Sequence, residues 1–515
     1  MRSQHLIVVL VLVVLGNCTH AAVNVVGLFR DNMVLQRDRE LPVWGCGKAG
    51  EKVTVEFQGA AKTTEVDLAG NWMVKIGPYP AGGPYEMRIS QNTASLTITN
   101  ILIGEVWICS GQSNMQWDLN TLKKYSPPDA ADEITAAKYP TIRFITVTGT
   151  ATTRQHVIPC GTLAWRACTP ETAGDLSAVA YFFGNALQKK LNVPIGLIVT
   201  AQGSSPIRSW ISAEAMHANP LFTQTLEDYR TLPERKKLFD AKRAAYDEAL
   251  AKSKAEGTPP PAWPGFMEGD AYPGPYFYGR VYPLAPFAMR GVIWYQGEND
   301  AMQFFIDTEH GYANHARRYK DAFPIMIAEW RSLWGTDFPF LYVQLAPANT
   351  PSKNPVMESG WAEVRDAQQK TLKVKNTAMV VTADICESDL HPKKKVEVGK
   401  RLALAARALA YGETHEYSGP IFEKAEFGDG KAIISFTHVG SGLMTKGEKL
   451  TGFAIAGADK QFYWAAAEIK DGTVVLRAKE VSKPVAVRYA YADFPSGTLF
   501  NKEGLPASCF RTDDW

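Results

Sequence analysis

Between about residues 101 and 412, short apolar runs alternate with helical stretches, and this rhythm constrains the fold more than any other feature of the chain. Strands that alternate with helices are typical of βαβ units, in which helices cover a parallel sheet. The sequence therefore predicts an α/β fold built on a parallel sheet. The predicted strands are 106–109, 142–147, 194–201, 291–295, 339–345 and 378–383, and the predicted helices are 176–191, 361–374 and 393–411.

Two regions of short alternating runs flank this central part. Residues 23–100 contain strand-like runs separated by Gly, Pro, Asn and Asp turns, which indicates an all-β module. The pattern returns from about residue 416 to residue 515 and indicates a second β module. A chain of 515 residues is also too long for one ordinary core. We expect three units, 23–100, 101–412 and 416–515, while the two terminal β regions could equally pack into one sandwich.

Residues 214–275 interrupt the alternation of strands and helices. A charged helical stretch, typical of a solvated face, is followed there by a segment rich in Pro, Gly and aromatic residues. The insertion follows the strand that ends at Gly203, so the topology places it near that edge of the sheet. The insertion is therefore a candidate lid.

A serine stands at a turn between a strand and a helix in the run GEVWICSGQSNMQWD, residues 104–118. The apolar strand reaches Cys109, and polar, helix-compatible sequence follows Ser113. Such a turn holds the hydroxyl at the carboxyl edge of a sheet, and the serine N–H lies at a helix start, where an anion is favoured. Ser113 is therefore a candidate nucleophile, although a loop serine that caps a helix is the commoner case.

Three further strand ends carry residues that suit the same chemistry. The run PIGLIVTAQG ends at Gly203, where a glycine lets its N–H approach a substrate closely or makes an ordinary turn. The run GVIWYQGEND carries Asn299, whose amide could face an oxyanion or form an Asx turn. The run VTADICESDLHP carries His391, which is a candidate base or a surface histidine.

In the order Ser113, Gly203, Asn299 and His391, the chain resembles the SGNH hydrolase superfamily, and within it most closely the sialate O-acetylesterase family. GQSNM corresponds to the nucleophile block, QGEND to the asparagine block and DLHP to the histidine block. The resemblance extends to runs such as LFRDNMVLQRD and weakens across 214–275 and in the last hundred residues. It implies a flavodoxin-like three-layer parallel sheet with N- and C-terminal all-β modules.

The resemblance implies a secreted serine esterase that removes O-acetyl groups from carbohydrate. Ser113 would attack the acetyl carbonyl, and His391 would take the serine proton and return it to the departing sugar hydroxyl. The oxyanion would be held by the backbone N–H groups of Ser113 and Gly203 and by the Asn299 side chain. Because Pro392 starts the next helix, the helix dipole disfavours imidazolium and keeps the base neutral.

The acid of the triad departs from the superfamily pattern. The superfamily places Asp three residues before the histidine, where this chain has Ser388. Asp389 stands two residues before His391, and residues i and i+2 of extended chain project to the same side. We therefore predict that Asp389 orients the imidazole, with Asp384, Glu387 and a backbone carbonyl as competitors.

The candidate substrate-binding residues flank the two loops that should face the sugar. Arg208 could pair with the carboxylate of a sialic acid or serve as a structural arginine. An O-acetylated polysaccharide such as acetylxylan needs no cation and is the alternative substrate, and a non-catalytic secreted carbohydrate-binding protein is the alternative of another class. The full candidate set is Gln112, Gln116, Trp117, Gln202, Arg208 and Trp210.

Charge and composition exclude several classes of partner. Fifty-five basic and 53 acidic residues leave a net charge of +2 without a basic block, which argues against nucleic acid or an anionic membrane. The 13 Trp, 20 Tyr and 23 Phe suit stacking on sugar rings. No CxxC pair, HExxH motif or cluster of metal-ligating residues occurs, so we expect no metal and no cofactor. The oligomeric state stays open.

The first 21 residues are typical of a secretory signal peptide. An apolar run from Leu6 to Leu15 follows Arg2, and this run is shorter than the ~20 residues that span a bilayer. Asn17 before Cys18 does not suit a lipoprotein anchor, so we expect free secretion or residence in the periplasm.

An oxidising compartment favours disulfides among the remaining six cysteines. Cys160 and Cys168 flank a short loop and are the favoured pair, whereas Cys46 and Cys109 lie in apolar strands and suit buried thiols. Sequence alone leaves the pairing open.

Overall fold

The computed structural model describes residues 23–149, 152, 163–230, 232–256, 273–302, 315–348, 354–355, 358–387 and 389–515. The predicted signal peptide, residues 257–272 of the predicted lid, Cys160 and Ser388 lie outside the described residues.

Short strands form the N-terminal region, as the sequence predicts. They are β1 (Asn24–Val25), β2 (Val34–Gln36), β3 (Leu41–Cys46), β4 (Lys52–Phe57), β5 (Ala60–Glu65), β6 (Asn71–Ile76), β7 (Gly82–Gln91) and β8 (Ala94–Gly111). The last of these, β8, is 18 residues long and pairs antiparallel with β7 near its start. Its far end enters the central sheet, so the proposed boundary at residue 100 falls inside one strand.

The central strands follow the predicted runs closely. They are β9 (Tyr139–Thr146), β10 (Arg166–Cys168), β11 (Ile195–Ala201), β12 (Gly291–Tyr295), β13 (Phe340–Val343) and β14 (Thr377–Val380). In space their order is β10-β9-β11-β8-β12-β13-β14, and β10 alone in this row runs antiparallel to its neighbour. The predicted parallel strands are present, but the sheet as a whole is mixed, because β8 also joins the antiparallel N-terminal strands into one sheet of 11 described strands.

The helices of the described residues include the three that the sequence predicts. The α-helices of the described residues are α1 (Ser113–Gln116), α2 (Leu119–Tyr125), α3 (Pro127–Ala136), α4 (Ala178–Leu191), α5 (Ala213–His217), α6 (Thr223–Arg230), α7 (Leu232–Glu256), α8 (Glu298–Met302), α9 (His315–Trp334), α10 (Gly360–Lys370) and α11 (Lys395–Tyr411). The predicted helices correspond to α4, α10 and α11. Ser177 caps α4, and α11 is followed by Gly412 with φ 69°, a left-handed conformation that glycine adopts easily.

Helices cover both faces of the central sheet. Successive strand residues point to opposite faces, so each strand contributes to two cores. Ile108 of β8 belongs to the hydrophobic cluster that includes Trp330 of α9. Trp107, its neighbour, belongs to the cluster that includes Phe183 of α4 and Leu402 of α11. The arrangement has three layers and leaves the ends of the strands accessible.

The C-terminal strands form antiparallel sheets of their own. They are β15 (Ile421–Gly428), β16 (Lys431–Thr437), β17 (Leu443–Thr445), β18 (Phe453–Ala456), β19 (Phe462–Trp464), β20 (Ala466–Lys470), β21 (Thr473–Arg477), β22 (Ala486–Tyr489), β23 (Leu499–Asn501) and β24 (Phe510–Arg511). Within the described residues, they share no sheet with the N-terminal strands, and their main core is a separate cluster. A single sandwich built from both terminal regions is therefore wrong.

The cysteines differ from the predicted pairing. Cys168 is a free thiol buried in the central core, so a bond between Cys160 and Cys168 is wrong. Cys46 is disulfide-bonded rather than a buried thiol, whereas Cys109 is a free, buried thiol as predicted.

Across the described residues, no helix combines the length and the hydrophobicity that crossing a bilayer requires.

Candidate active site

The site lies at the carboxyl ends of three neighbouring parallel strands. Gly111 at the end of β8 pairs with Ala201 of β11 and with Tyr295 of β12, so three loops begin at one level. Gly111 has φ 138°, and a Cβ there would stand 2.1 Å from the Tyr295 carbonyl oxygen. Only glycine fits this position. The tight turn that follows brings Ser113 to the first residue of α1.

Ser113 and His391 are in direct contact although 278 positions separate them in the sequence. The Oγ of Ser113 lies 2.9 Å from Nε2 of His391, a hydrogen-bonding distance. Burial and the nearby Lys395 ammonium lower the pKa of His391, and the Asp389 carboxylate opposes them. The imidazole is therefore neutral at neutral pH and able to accept the serine proton.

The predicted hydrogen bond from Asp389 to the imidazole Nδ1 is wrong. Oδ1 of Asp389 instead accepts a hydrogen bond of 3.0 Å from the backbone N–H of His391. A short carboxylate bonds easily to the main chain two residues ahead of it, and this local turn outcompetes the imidazole.

The two competing acids, Asp384 and Glu387, do not bond to the imidazole either. Asp384 makes two hydrogen bonds of 2.7 Å to Arg401, and Glu387 lies 3.6 Å from Lys393. In the part of the chain that the structure describes, no carboxylate is hydrogen-bonded to the imidazole, so no acidic side chain joins the contact between Ser113 and His391.

Trp117 stacks on the histidine ring. Its indole stacks on the His391 ring with 4.4 Å between centroids and on the Tyr125 ring with 4.9 Å, in both cases with 16° between the planes. Both contacts are with rings of the protein, and the partly buried Trp117 stays a candidate for substrate binding. The indole fixes the plane of the imidazole.

The three predicted oxyanion donors belong to loops that meet at the serine. A Cβ built on Gly203 would lie 3.6 Å from the Ser113 Cβ, which makes these residues neighbours. The Gly203 N–H donates a hydrogen bond of 2.7 Å to Oε1 of Gln116. The Asn299 amide donates a hydrogen bond of 2.9 Å to the carbonyl of Ser204. The side chain of Gln116, a predicted substrate residue, therefore accepts the hydrogen bond that the Gly203 N–H would otherwise offer to a substrate.

Two of the predicted substrate residues connect loops. The Gln112 side chain is 2% exposed, and its Oε1 accepts hydrogen bonds from the N–H groups of Gly297 and Asn299 at 3.2 and 3.4 Å. Gln202 accepts a hydrogen bond of 2.6 Å from Arg280. The predicted role of Gln112 in substrate binding is wrong, because its amide is buried between the serine turn and the QGEND turn.

Trp210 and Arg208 share a 3₁₀ turn, Ile207–Trp210. Trp210 is fully buried, donates to Ser205 Oγ at 3.0 Å and packs edge-on against Trp294. A role of Trp210 in substrate contact is therefore wrong, because it is a core residue. Half-buried Arg208 lies near Asp300. Burial raises the pKa of Asp300 to about 6, although a hydrogen bond from Gln296 and the charge of Arg208 lower it.

A buried polar network that the sequence analysis did not identify lies directly behind the serine. Asn114 accepts a hydrogen bond from Nζ of Lys395 and donates to Oε1 of Glu298 and, at 3.0 Å, to the carbonyl of Leu390. Burial lowers the pKa of Lys395 to about 8, although the Glu298 carboxylate raises it. Burial also raises the pKa of Glu298, against the hydrogen bond from Asn114. In the sequence, Asn114 lies in the GQSNM run and Glu298 in the QGEND run, and these positions are the signal that points to the two residues.

No group of three or more His, Cys, Asp or Glu side chains among the described residues is arranged to hold a metal ion. A hydroxyl, an imidazole and several N–H donors meet at the site, and acyl transfer can use groups of these kinds.

Comparisons with known proteins agree with this arrangement. Residues 280–408 match the family of carbohydrate esterases described as sialic acid-specific acetylesterases. The chain is 31% identical to the sialate O-acetylesterase of Rattus norvegicus, covering 90% of this chain and 88% of the relative. It is 29% identical to that of Homo sapiens, covering 79% of this chain and 75% of the relative.

A solved structure gives the same result. The crystal structure of a carbohydrate acetylesterase from Xanthomonas citri superposes with a TM-score of 0.79 and 34% identity, covering 95% of this chain and 99% of that chain. The alternative of a non-catalytic binding protein is wrong, because these relatives make the chain a carboxylic ester hydrolase. The chain belongs to the sialate O-acetylesterase family of carbohydrate esterases.

Proposed function

We propose that the enzyme removes O-acetyl groups from sialic acids and that Ser113 carries the acetyl group as a covalent intermediate. The observation that carries the proposal is the 2.9 Å contact between Ser113 Oγ and His391 Nε2 at the edge of the sheet. A hydroxyl and an imidazole in this contact form the nucleophile and general base that ester hydrolysis needs. The relatives named above are called sialate O-acetylesterases, which supports sialic acid as the sugar.

The reaction takes two steps. Ser113 Oγ attacks the acetyl carbonyl carbon while its proton moves to Nε2 of His391, and the carbon–oxygen bond to the sugar then breaks. The imidazolium returns the proton to the departing sugar oxygen, which leaves acetyl-Ser113. A water molecule gives a proton to His391 and attacks the acetyl-serine, and acetate leaves as Ser113 recovers its proton.

The developing oxyanion needs donors that are fixed before the reaction. We assign this role to the N–H groups of Ser113 and Gly203 and to the Asn299 amide. The substrate carbonyl oxygen would replace Oε1 of Gln116 on the Gly203 N–H, so substrate binding displaces the Gln116 side chain. One such donor typically stabilises the transition state by about 3–4 kcal/mol.

The positive charge that forms on His391 is stabilised by two neighbours. The Asp389 carboxylate acts through space on the imidazole, as its effect on the His391 pKa indicates. The indole of Trp117 offers its electron-rich face at 4.4 Å between centroids. Together they substitute for the hydrogen-bonded carboxylate of a conventional triad.

Acetylxylan or another neutral acetylated polysaccharide is the second candidate substrate. The observation that favours it is the position of Arg208 near Asp300, which already balances the guanidinium charge. A neutral glycan would place no demand on this arginine.

The deciding experiment compares acetate release from 9-O-acetylated sialic acid and from acetylxylan. We expect higher kcat/KM on the sialic acid, and Ser113→Ala should abolish both activities. Arg208→Gln should raise KM for the sialic acid alone, whereas Arg477→Gln, at the exposed last residue of β21, serves as the matched control. Preference for acetylxylan by the native enzyme would contradict the sialate assignment.

The wider architecture supports three further assignments. We propose that β11-β8-β12-β13-β14 is the flavodoxin-like sheet of an SGNH domain at 101–412, since the chain order reverses at β8. The β regions 23–100 and 416–515 are its terminal modules, and residues 214–275 are its lid. Hydrogen exchange across α6 and α7 should slow when substrate binds the Ser113→Ala enzyme, and unchanged exchange would contradict the lid.

We also propose that residues 1–21 direct secretion or export to the periplasm. Mass spectrometry of the exported protein should find the mature chain beginning after Ala21. A chain that stays in the cytoplasm at full length would contradict this assignment.

A further inference from the structure

Asn114 connects the three loops that make the site. This residue directly follows Ser113 and is fully buried. Its carboxamide oxygen accepts from Lys395 at the start of α11, and its amide donates to Glu298 at the start of α8 and to the carbonyl of Leu390 beside the histidine. One small side chain therefore links the serine turn, the QGEND turn and the histidine loop.

The two ends of this network are ionisable side chains of opposite sign, and both are buried. Lys395 is 0% and Glu298 1% exposed, although Lys394, the preceding residue, is exposed. The ammonium also lies 5.8 Å from the Trp117 ring and 5.3 Å from the Tyr295 ring. Burying an ammonium is costly unless such contacts compensate for the loss of water. A cost of this kind beside a nucleophile suggests a role in the reaction.

We propose that Lys395 is a positioning residue of the Ser113–His391 dyad: its ammonium, balanced by Glu298 across the Asn114 carboxamide, holds the three catalytic loops together and keeps the imidazole neutral between turnovers. The inference rests on the proposed function of this dyad.

The charges around the network decide the sign of its effect on His391. Lys395 and Asp389 face the imidazole with opposite signs, and Lys395 opposes a second positive charge there. Lys395 itself is faced by Glu298, Asp389 and the Cys386 thiol, and Glu298 is faced by Lys395 and Asp300. Without the ammonium, the Asp389 carboxylate is the remaining charge of the two that act on the histidine. The pKa of His391 should then rise, and the acid limb of kcat/KM should move to higher pH.

The test is the pH profile of kcat/KM for p-nitrophenyl acetate in the full-length enzyme. Lys395→Met alone leaves Glu298 buried without its cation, so the main variant is Lys395→Met combined with Glu298→Gln, which keeps an acceptor for Asn114. We expect its acid limb to move to higher pH by about half a pH unit and kcat to fall by roughly tenfold or more. Lys394→Met, which changes the exposed neighbour, should keep the native profile.

An acid limb at the native pH in the charge-free double variant would overturn the inference, whatever its rate. If that variant does not fold, Lys395→Arg decides, because it keeps the charge but not the compact ammonium that fits Asn114. A native acid limb with reduced kcat supports positioning, and a native kcat overturns it. Loss of acetate release in Ser113→Ala tests the proposed function separately, so failure of the inference leaves that result standing.

Discussion

The serine turn and the histidine loop meet at one hydrogen bond, yet the protein holds them in different ways. Backbone hydrogen bonds fix the serine turn: the Gln112 N–H donates to Tyr295 and the Gln202 N–H to Gly111, each at 2.9 Å. Side chains hold the histidine loop, through the Trp117 stack and the Asn114 amide. Ser113 is therefore positioned by the sheet, whereas His391 depends on the packing of its neighbours.

This difference predicts that the chemistry fails when either reacting group is removed, while each support of the base contributes less. Ser113→Ala should lower kcat by roughly 10⁴-fold or more, and His391→Ala nearly as much, because the two act as a unit. The double variant should lose little further activity. Acetate release measures the effect, and Ser496→Ala at an exposed C-terminal site is the control. Additive losses in the double variant would break the assigned coupling of serine and histidine.

Loss of an oxyanion donor beside the serine should have the next largest effect on kcat. Asn299→Ala should lower kcat by about 10²–10³-fold, because the amide is assigned to charge that exists only in the transition state. KM should change less than kcat in steady-state kinetics. A raised KM with native kcat would mean that Asn299 contacts the sugar.

The support of the base by packing should have a smaller effect. Trp117→Ala removes the ring that fixes the imidazole plane and should lower kcat by about five- to tenfold, in line with the stability of an aromatic pair. Trp117→Phe retains a stacked ring and should recover most of the rate. If Trp117→Phe is as slow as Trp117→Ala, stacking on His391 is not what the indole supplies.

The smallest effect is expected at Asp389. Asn at this position still accepts from the His391 N–H and loses only the charge, so kcat should fall by about two- to fivefold. Because the carboxylate raises the pKa of His391, its loss should move the acid limb of kcat/KM to lower pH. This direction is opposite to that expected for loss of Lys395. Glu387→Gln, at an exposed carboxylate that lies 3.6 Å from Lys393, is the control, and a large loss in Asp389→Asn would restore the triad.

The same difference explains what the sequence could predict. The ends of the predicted strands placed Ser113, Gly203, Asn299 and His391 in the segments that follow the central sheet, because the sheet determines where those segments begin. The direction of the Asp389 carboxylate depends on a local turn, and the burial of Lys395 among three successive lysines depends on α11 packing against the site. Trp210 looked like a binding residue, but the core closes around it. The hydrophobic periodicity of the sequence does not show side-chain directions or burial of this kind.

The mixed sheet was missed for a related reason. In β8 the burial pattern alternates from Ala94 to Asn100 and becomes continuous from Ile101 onward. The first part is typical of a half-exposed strand and the second of a buried parallel strand. Periodicity separates them into two elements, although one continuous strand serves both regions. The predicted helices and central strands, which have a single pattern throughout, are confirmed.

The most direct test of the account is to trap the acetyl-enzyme. The enzyme is mixed with p-nitrophenyl acetate, quenched with acid within the first turnovers, digested and examined by mass spectrometry. We predict one added acetyl group on the peptide that contains Ser113, and none on the matching peptide from Ser113→Ala. Acetate release without any acetylated Ser113 peptide, or an acetyl group on another residue as the enzyme turns over, would contradict it.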